Sequence, residues 1–179
     1  SPEQVLGYVY AVCWSPNYRI RHARLLKQDF PRIPETSSVE LIYELASLGE
    51  ELMTFHLMES SKLNDRITTL LGPGDLQVEK VSYSDETVWI DKGKTRGFQG
   101  VADEVWNFRF GGYQVCQKWL KDRQAKGGKN PRPGRVLTAE ETNHYQKIVV
   151  VLSETIRIMG EIDEVIDQHG GWPEAFQTS

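Results

Sequence analysis

Thr138-Ala139-Glu140-Glu141 is a capping box, and the stretch it opens meets no glycine pair until Gly170-Gly171. Within it Tyr145, Val149, Leu152, Ile156, Met159, Ile162 and Ile166 recur at helical spacing. A helix over 138–169 would be roughly 48 Å long at 1.5 Å per residue. An element of that length constrains every other one, because its apolar face must be covered along its length. The best-matched cover is a helix from Ser37 or Ser38 to about Glu59, where Leu41, Leu45, Leu48, Leu52 and Phe55 alternate spacings of four and three.

The remaining elements follow from breaks and changes of period. Ser1-Pro2-Glu3-Gln4 opens a helix to about Cys13, and Ser15-Pro16 opens another to about Lys27. Asp29 to Pro34 reads as extended around its two prolines. A short helix is expected over Leu63 to Leu71, ended by Gly72-Pro73-Gly74-Asp75. Beyond that break the period becomes two. Val78, Val81 and Tyr83, then Val88-Trp89-Ile90, read as a hairpin turning at Ser84-Asp85-Glu86. Phe98 to Val101 and Val105 to Phe110 are candidate short strands, and Tyr113 to Arg123 a helix after Gly111-Gly112. Ala125 to Arg135 is a loop of Gly, Pro and basic residues.

The predicted class is α+β: a helical spine with a long C-terminal helix and a small antiparallel β-rich lobe. With no internal repeat or sign of a second core, residues 1–179 are expected to form one domain. It comprises N-terminal helices (1–71), a β-rich lobe with one helix (76–124) and the long helix (138–169). The chain opens at a helix start without an initiator Met and reads as a fragment of a larger protein. Its 179 residues, 39% hydrophobic, suffice for a core without disulfides. Two distant cysteines, Cys13 and Cys116, suggest a reducing, cytoplasmic setting. The run Ile148 to Leu152 is too short to cross a bilayer, so no membrane partner is expected.

A net charge of −4 argues at first against nucleic acid, but the charges are segregated. Lys92 to Arg135 carries eleven basic and three acidic residues, and Asn17 to Pro34 five and one. Glu35 to Glu59 holds six acids and no Lys or Arg, and Thr138 to Ser179 eight acids against two bases. Such blocks make a local positive face, or else pair with one another across neighbouring helices.

Catalytic patterns fail on inspection. Gly93-Lys94-Thr95 resembles the end of a phosphate loop, but the position five before Gly93 is Val88, and the flanks read as strand. Asn130-Pro131-Arg132-Pro133 starts like the adenine-methyltransferase motif that grips a flipped base, but Arg132 replaces its second proline and no aromatic follows. His22, His56, His144 and His169 lack metal-site spacing. Cys116, between Val115 and Trp119, reads as a small buried hydrophobe before it reads as a nucleophile. The domain alone is therefore not expected to be an enzyme.

Glu104-Val105-Trp106-Asn107-Phe108-Arg109-Phe110-Gly111-Gly112-Tyr113-Gln114-Val115-Cys116-Gln117-Lys118-Trp119-Leu120-Lys121-Asp122-Arg123 closely resembles the C-terminal specificity domain of Type ISP restriction–modification enzymes. Tyr8 to Val12, Ser15 to Arg19, Asp29 to Pro34, His144 to Val149 and Glu161-Ile162-Asp163 agree in the family's order, over nearly the whole chain. The loop after Arg123 is longer than the pattern, and the tail from Gly170 lies outside its common core. The resemblance implies sequence-specific recognition of double-stranded DNA, directing adenine methylation and cleavage carried out by other domains. It implies a methyltransferase domain of the same polypeptide as partner. S-adenosylmethionine, ATP and magnesium would bind in those other domains, with no cofactor in this one.

The residues suit that role. Lys and Arg neutralise phosphates, while Arg suits guanine and Gln or Asn suits adenine. The candidates are Lys92, Lys94, Arg96, Gln99, Arg109, Gln114, Lys118, Lys121, Arg123, Lys126, Lys129 and Arg132. Gln114, Lys118 and Lys121 would share a helix face, and free amides behind Gly111-Gly112 would suit a phosphate. The plainer readings are that Lys118 and Lys121 only solvate that helix, and that Trp106 and Tyr113 belong to the core. A second reading of the chain is a protein-interaction module without DNA binding of its own.

Overall fold

The computed structural model describes residues 1–177. It is α+β, with six α-helices, a four-stranded antiparallel sheet and a two-stranded ribbon among the described residues. The chain divides into two compact units, 1–60 with 154–179, and 61–153. No described helix is long and apolar enough to cross a membrane.

The first unit holds α1 (Pro2–Trp14), α2 (Pro16–Arg21), α3 (Val39–His56) and the second half of α6 (Ala139–Gln168). Ser1 caps α1 through a complete capping box, Ser15 caps α2 and Ser38 caps α3. α2 is shorter than its sequence suggests: it ends at Arg21, and only a 3₁₀ turn at Leu25–Lys27 follows. The long helix begins and ends within a residue of expectation. Thr138 Oγ1 accepts from the Glu141 amide, and Glu141 Oε2 accepts from the Thr138 amide, both at 3.1 Å.

α3 takes α1 as its closest neighbour. The two backbones meet at Gly7 and Gly49, where a Cβ on either glycine would overlap the opposing backbone carbonyl, that of Gly7 or Ala46. α6 reaches α3 through side chains: Arg157 to Glu51 at 2.7 Å, His169 to Glu44 at 3.1 Å, and His56 to Thr155 at 2.9 Å. The apolar stripe of α6 also shifts. In its second half Thr155, Ile158, Ile162 and Ile166 are buried, whereas Ile156 and Met159 are half-exposed. From Ile148 to Leu152 the helix is buried on all sides, so that run carries no facial information.

The second unit contains β1 (Thr69–Leu71), β2 (Ser82–Ser84), β3 (Thr87–Trp89) and β4 (Gly97–Gln99) in the order β1-β4-β3-β2. The hairpin predicted at Ser84-Asp85-Glu86 forms with Tyr83 opposite Val88, and Asp85 and Glu86 both at positive φ. Two elements differ from expectation. The helix predicted over Leu63 to Leu71 is a 3₁₀ turn at Ser61–Asn64 followed by β1, whose Leu70 pairs opposite Phe98 of β4. The strand predicted over Val105 to Phe110 is α4 (Asp103–Asn107) and then β5 (Arg109–Phe110). Trp106 is buried there, stacked on Tyr83 with ring centroids 5.0 Å apart. In both places long-range partners override the local pattern.

β5 pairs with β6 (Tyr113–Gln114) across Gly111 and Gly112, both at positive φ, and α5 (Val115–Lys121) follows. Val88, Ile90, Phe98, Val101, Leu120 and Tyr145 are buried in this unit. Cys116 lies with them, its sulfur 3.2 Å from the Tyr145 hydroxyl. Burial pushes its thiol up to about 11, which leaves it protonated and unreactive at neutral pH.

The turn between β3 and β4 is organised by Asp91, which is 5% exposed. Its carboxylate accepts from the Thr95 amide at 3.0 Å, the Thr95 hydroxyl at 2.7 Å and the Arg96 amide at 3.0 Å. The Gly93-Lys94-Thr95 segment is thus a tight turn around a carboxylate, with none of the strand-to-helix context of a phosphate loop. Burial by itself would raise the Asp91 carboxyl, but the hydrogen bonds from Arg96 and Thr95 hold it below the ordinary carboxylate value. A depressed carboxyl contributes stability that is present above the unfolded value, near 3.8, and is lost as pH falls through the folded one. Asp91→Asn is therefore expected to melt below the unaltered protein at pH 6, with the gap closing under acid. A gap that stays constant down to pH 2 would contradict the assignment.

Candidate nucleic-acid interface

The twelve candidate side chains lie in the second unit, on turns and short elements anchored to its core. The structure divides them by what they already bond.

Several are engaged inside the fold. Arg96 donates to the Asp75 carbonyl and lies 3.6 Å from Glu79, with its side chain 19% exposed. Arg109 donates to the Gly112 carbonyl at 3.2 Å and closes the β5–β6 ribbon. Gln114 donates to the Trp106 carbonyl and to Asn107 Oδ1. It precedes α5 and does not extend a helix face with Lys118 and Lys121, contrary to the sequence expectation. Gly111-Gly112 likewise turn a hairpin and do not open a helix, so the amide phosphate site expected behind them is not formed.

Arg123 lies over Trp119, its guanidinium carbon 3.6 Å from the ring centroid, and donates through Nη1 to the Trp119 carbonyl at 2.9 Å. Its buried Nε has no hydrogen bond, but at 3.5 Å from Glu141 it keeps an electrostatic partner. Lys118 is held by Asp122 at 2.6 Å, which keeps the Asp122 carboxyl below its ordinary value. Lys94 donates to Ser84 Oγ at 3.1 Å.

Arg132 is exposed, with Nη2 donating to the Asp122 carbonyl at 3.1 Å. The other five are displayed. Lys92, Gln99, Lys121, Lys126 and Lys129 are exposed, and their side chains have no hydrogen-bond or ion-pair partner among the described residues. Lys92 occupies the β3–β4 turn and Lys121 the end of α5. Lys126 and Lys129 lie on the 125–135 loop, which is tied down at its base. The Lys126 amide donates to the Arg132 carbonyl at 2.8 Å, and the Arg132 amide returns the bond at 2.9 Å. The Ala125 amide donates to Val78, and Val78 to Arg135, both at 3.0 Å. Gly134 is pressed against the Val78 carbonyl, where a Cβ has no room.

Two features escape the sequence reading. Arg135, outside the candidate set, pairs with Glu141 at 2.9 Å and lines a cleft of about 290 Å³ with Asp122, Arg123, Arg132 and Pro133. Tyr113, expected in the core, is 60% exposed beside Phe110, at 52%. Both sit at the tip of a ribbon too short to bury them, and no periodicity over two residues would have revealed it. No group of three or more metal-ligating side chains occurs among the described residues.

No curated protein matches the chain in sequence. Solved structures that share the fold include two Type ISP restriction-modification enzymes and one further DNA complex. A nuclease-deletion mutant of the Type ISP restriction-modification enzyme LlaGI, in complex with a DNA substrate mimic, matches at TM-score 0.65 and 20% identity over 89% of this chain and 13% of its own. The ATP-dependent Type ISP enzyme LlaBIII bound to DNA matches at 0.66 and 17%, over 90% and 11%. The DrdV–DNA complex matches at 0.64 and 22%, over 90% and 18%. The chain thus spans less than a fifth of each. The family described as Type ISP C-terminal specificity domain matches residues 1–161, nearly the whole chain, and this protein belongs to that family.

Proposed function

We propose that this domain recognises a DNA target sequence for a Type ISP restriction–modification enzyme, and so directs the adenine methylation and cleavage carried out by other domains. The observation that carries the reading is the exposure of Lys92, Lys121, Lys126 and Lys129 without hydrogen-bond or ion-pair partners for their side chains among the described residues, on turns and a helix end fixed to a packed core. The family's description as a specificity domain, and the DNA bound in the related enzymes, agree with it. Lysines so placed neutralise phosphates, and Gln99, exposed on β4, is a candidate for a base edge. In this reading S-adenosylmethionine, ATP and magnesium belong to the other domains. The exposed Val5 and Leu6 of α1, with Val39 and Tyr43 of α3, offer apolar surface to the methyltransferase domain.

Fluorescence anisotropy with a random-sequence duplex at several salt concentrations tests the proposal. Affinity should fall linearly on a log–log salt plot, with a slope of about −0.9 per phosphate contacted. Absence of binding at low salt would instead favour a protein-interaction module.

A further inference from the structure

Three arginines contribute to the cleft beside the 125–135 loop. Arg123, Arg132 and Arg135 line it with Asp122 and Pro133. The one carboxylate on its lining, Asp122, already holds Lys118 at 2.6 Å, and Glu141, which receives Arg135 at 2.9 Å, also receives the Thr138 amide at 3.1 Å. Arg123 is fixed on Trp119 and serves as the wall. Arg132 and Arg135 are the exposed pair, the latter's side chain 60% so. Arg132 uses Nη2 on the Asp122 carbonyl at 3.1 Å, and Arg135 uses Nη2 on Glu141, leaving further donors on each fork. Between them Pro133 limits the backbone, and Gly134 is locked against Val78. The backbone that carries the two forks is therefore held in place, while their side chains remain exposed.

We infer that Arg132 and Arg135 form a two-arginine clamp for a single phosphodiester group of the DNA backbone, with Arg123 as its fixed wall. Planar forks suit phosphate oxygens, and two forks carried on a constrained backbone orient the duplex where isolated lysines only attract it. The inference rests on the DNA-recognition reading and adds a register point to it.

The test is anisotropy binding of random-sequence duplex by the single variants Arg132→Ala and Arg135→Ala and by the double variant, each across a salt series. Two arginines on one phosphate are redundant for its neutralisation. Each single variant should lose about tenfold in affinity, as for a lost charge-assisted hydrogen bond, and keep the slope of the unaltered protein. The double variant should lose about 0.9 from the slope, one phosphate. A fall of about 0.9 in each single variant would mean two separate contacts and overturn the clamp, as would an unchanged double variant. The Arg132→Lys/Arg135→Lys protein keeps both charges and guards against misfolding: it should retain the slope and lose affinity, and undiminished affinity would reject fork recognition. Displacement of DNA by inorganic phosphate at fixed ionic strength would point to a free phosphate as ligand and overturn the proposal. If the unaltered protein binds no DNA at all, the broader reading fails as well, a result distinct from each of these.

Discussion

Gly49→Ala is expected to destabilise the helical unit by about 3 kcal/mol or more, at the upper end of overpacking costs. The added Cβ would fall on the Gly7 backbone carbonyl, and a backbone atom cannot rotate away as a side chain does. The helices would have to separate, which exposes Leu45, Leu52 and Ala11 around the crossing. In a chain of this size the loss corresponds to roughly 6–12 °C in melting temperature. Gly7→Ala should behave alike, since its Cβ meets the Ala46 carbonyl. Thermal and urea melts followed by circular dichroism give the answer, and a shift below about 0.5 kcal/mol, the usual range for surface changes, would rule out the close crossing.

The second large effect is on binding. Replacing Lys121, Lys126 and Lys129 together by Gln should weaken binding to random-sequence duplex by on the order of a hundredfold near 0.15 M salt. The figure follows from about 0.9 ions released per phosphate, or roughly 1 kcal/mol each at that salt. The salt slope should drop by about 2.7 if each lysine meets its own phosphate. Stability should hardly move, because the three side chains are exposed and make no hydrogen bond or ion pair among the described residues. Lys118→Ala provides the contrast: its ammonium is committed to Asp122, so its removal should cost little affinity. Equal losses for Lys118 and Lys121 would show that the internal ion pair does not decide which lysines are available.

The difference between these lysines marks the limit of a sequence reading. Charge segregation and residue type identified the block from Lys92 to Arg135, but which of its members are free depends on contacts across the fold. Arg96 is consumed by Asp75 and Glu79, and Arg123 by Trp119 and Glu141, residues 17 to 21 positions away in three of those four contacts. Arg135 closes the same basic loop, and nothing in the local sequence distinguishes it from its neighbours. The exposure of Phe110 and Tyr113 was equally hidden, since a two-residue ribbon has no period to read.

Elements whose signals are local and redundant were determined by the sequence alone. The long helix has a capping box at one end, a glycine pair at the other and many turns of pattern between. The Asp85-Glu86 hairpin and the serine-capped helices α1 and α3 are of the same kind. Tertiary structure decided the short elements. Thr69 to Leu71 became a strand because β4 offers its edge, and Asp103 to Asn107 became a helix that seats Trp106 on Tyr83. A segment of three to five residues gains too few local hydrogen bonds to select its own conformation, so distant partners select it. The same reason governs the interface: a lysine's chemistry is written in the sequence, and its freedom to meet a phosphate is decided by what folds against it.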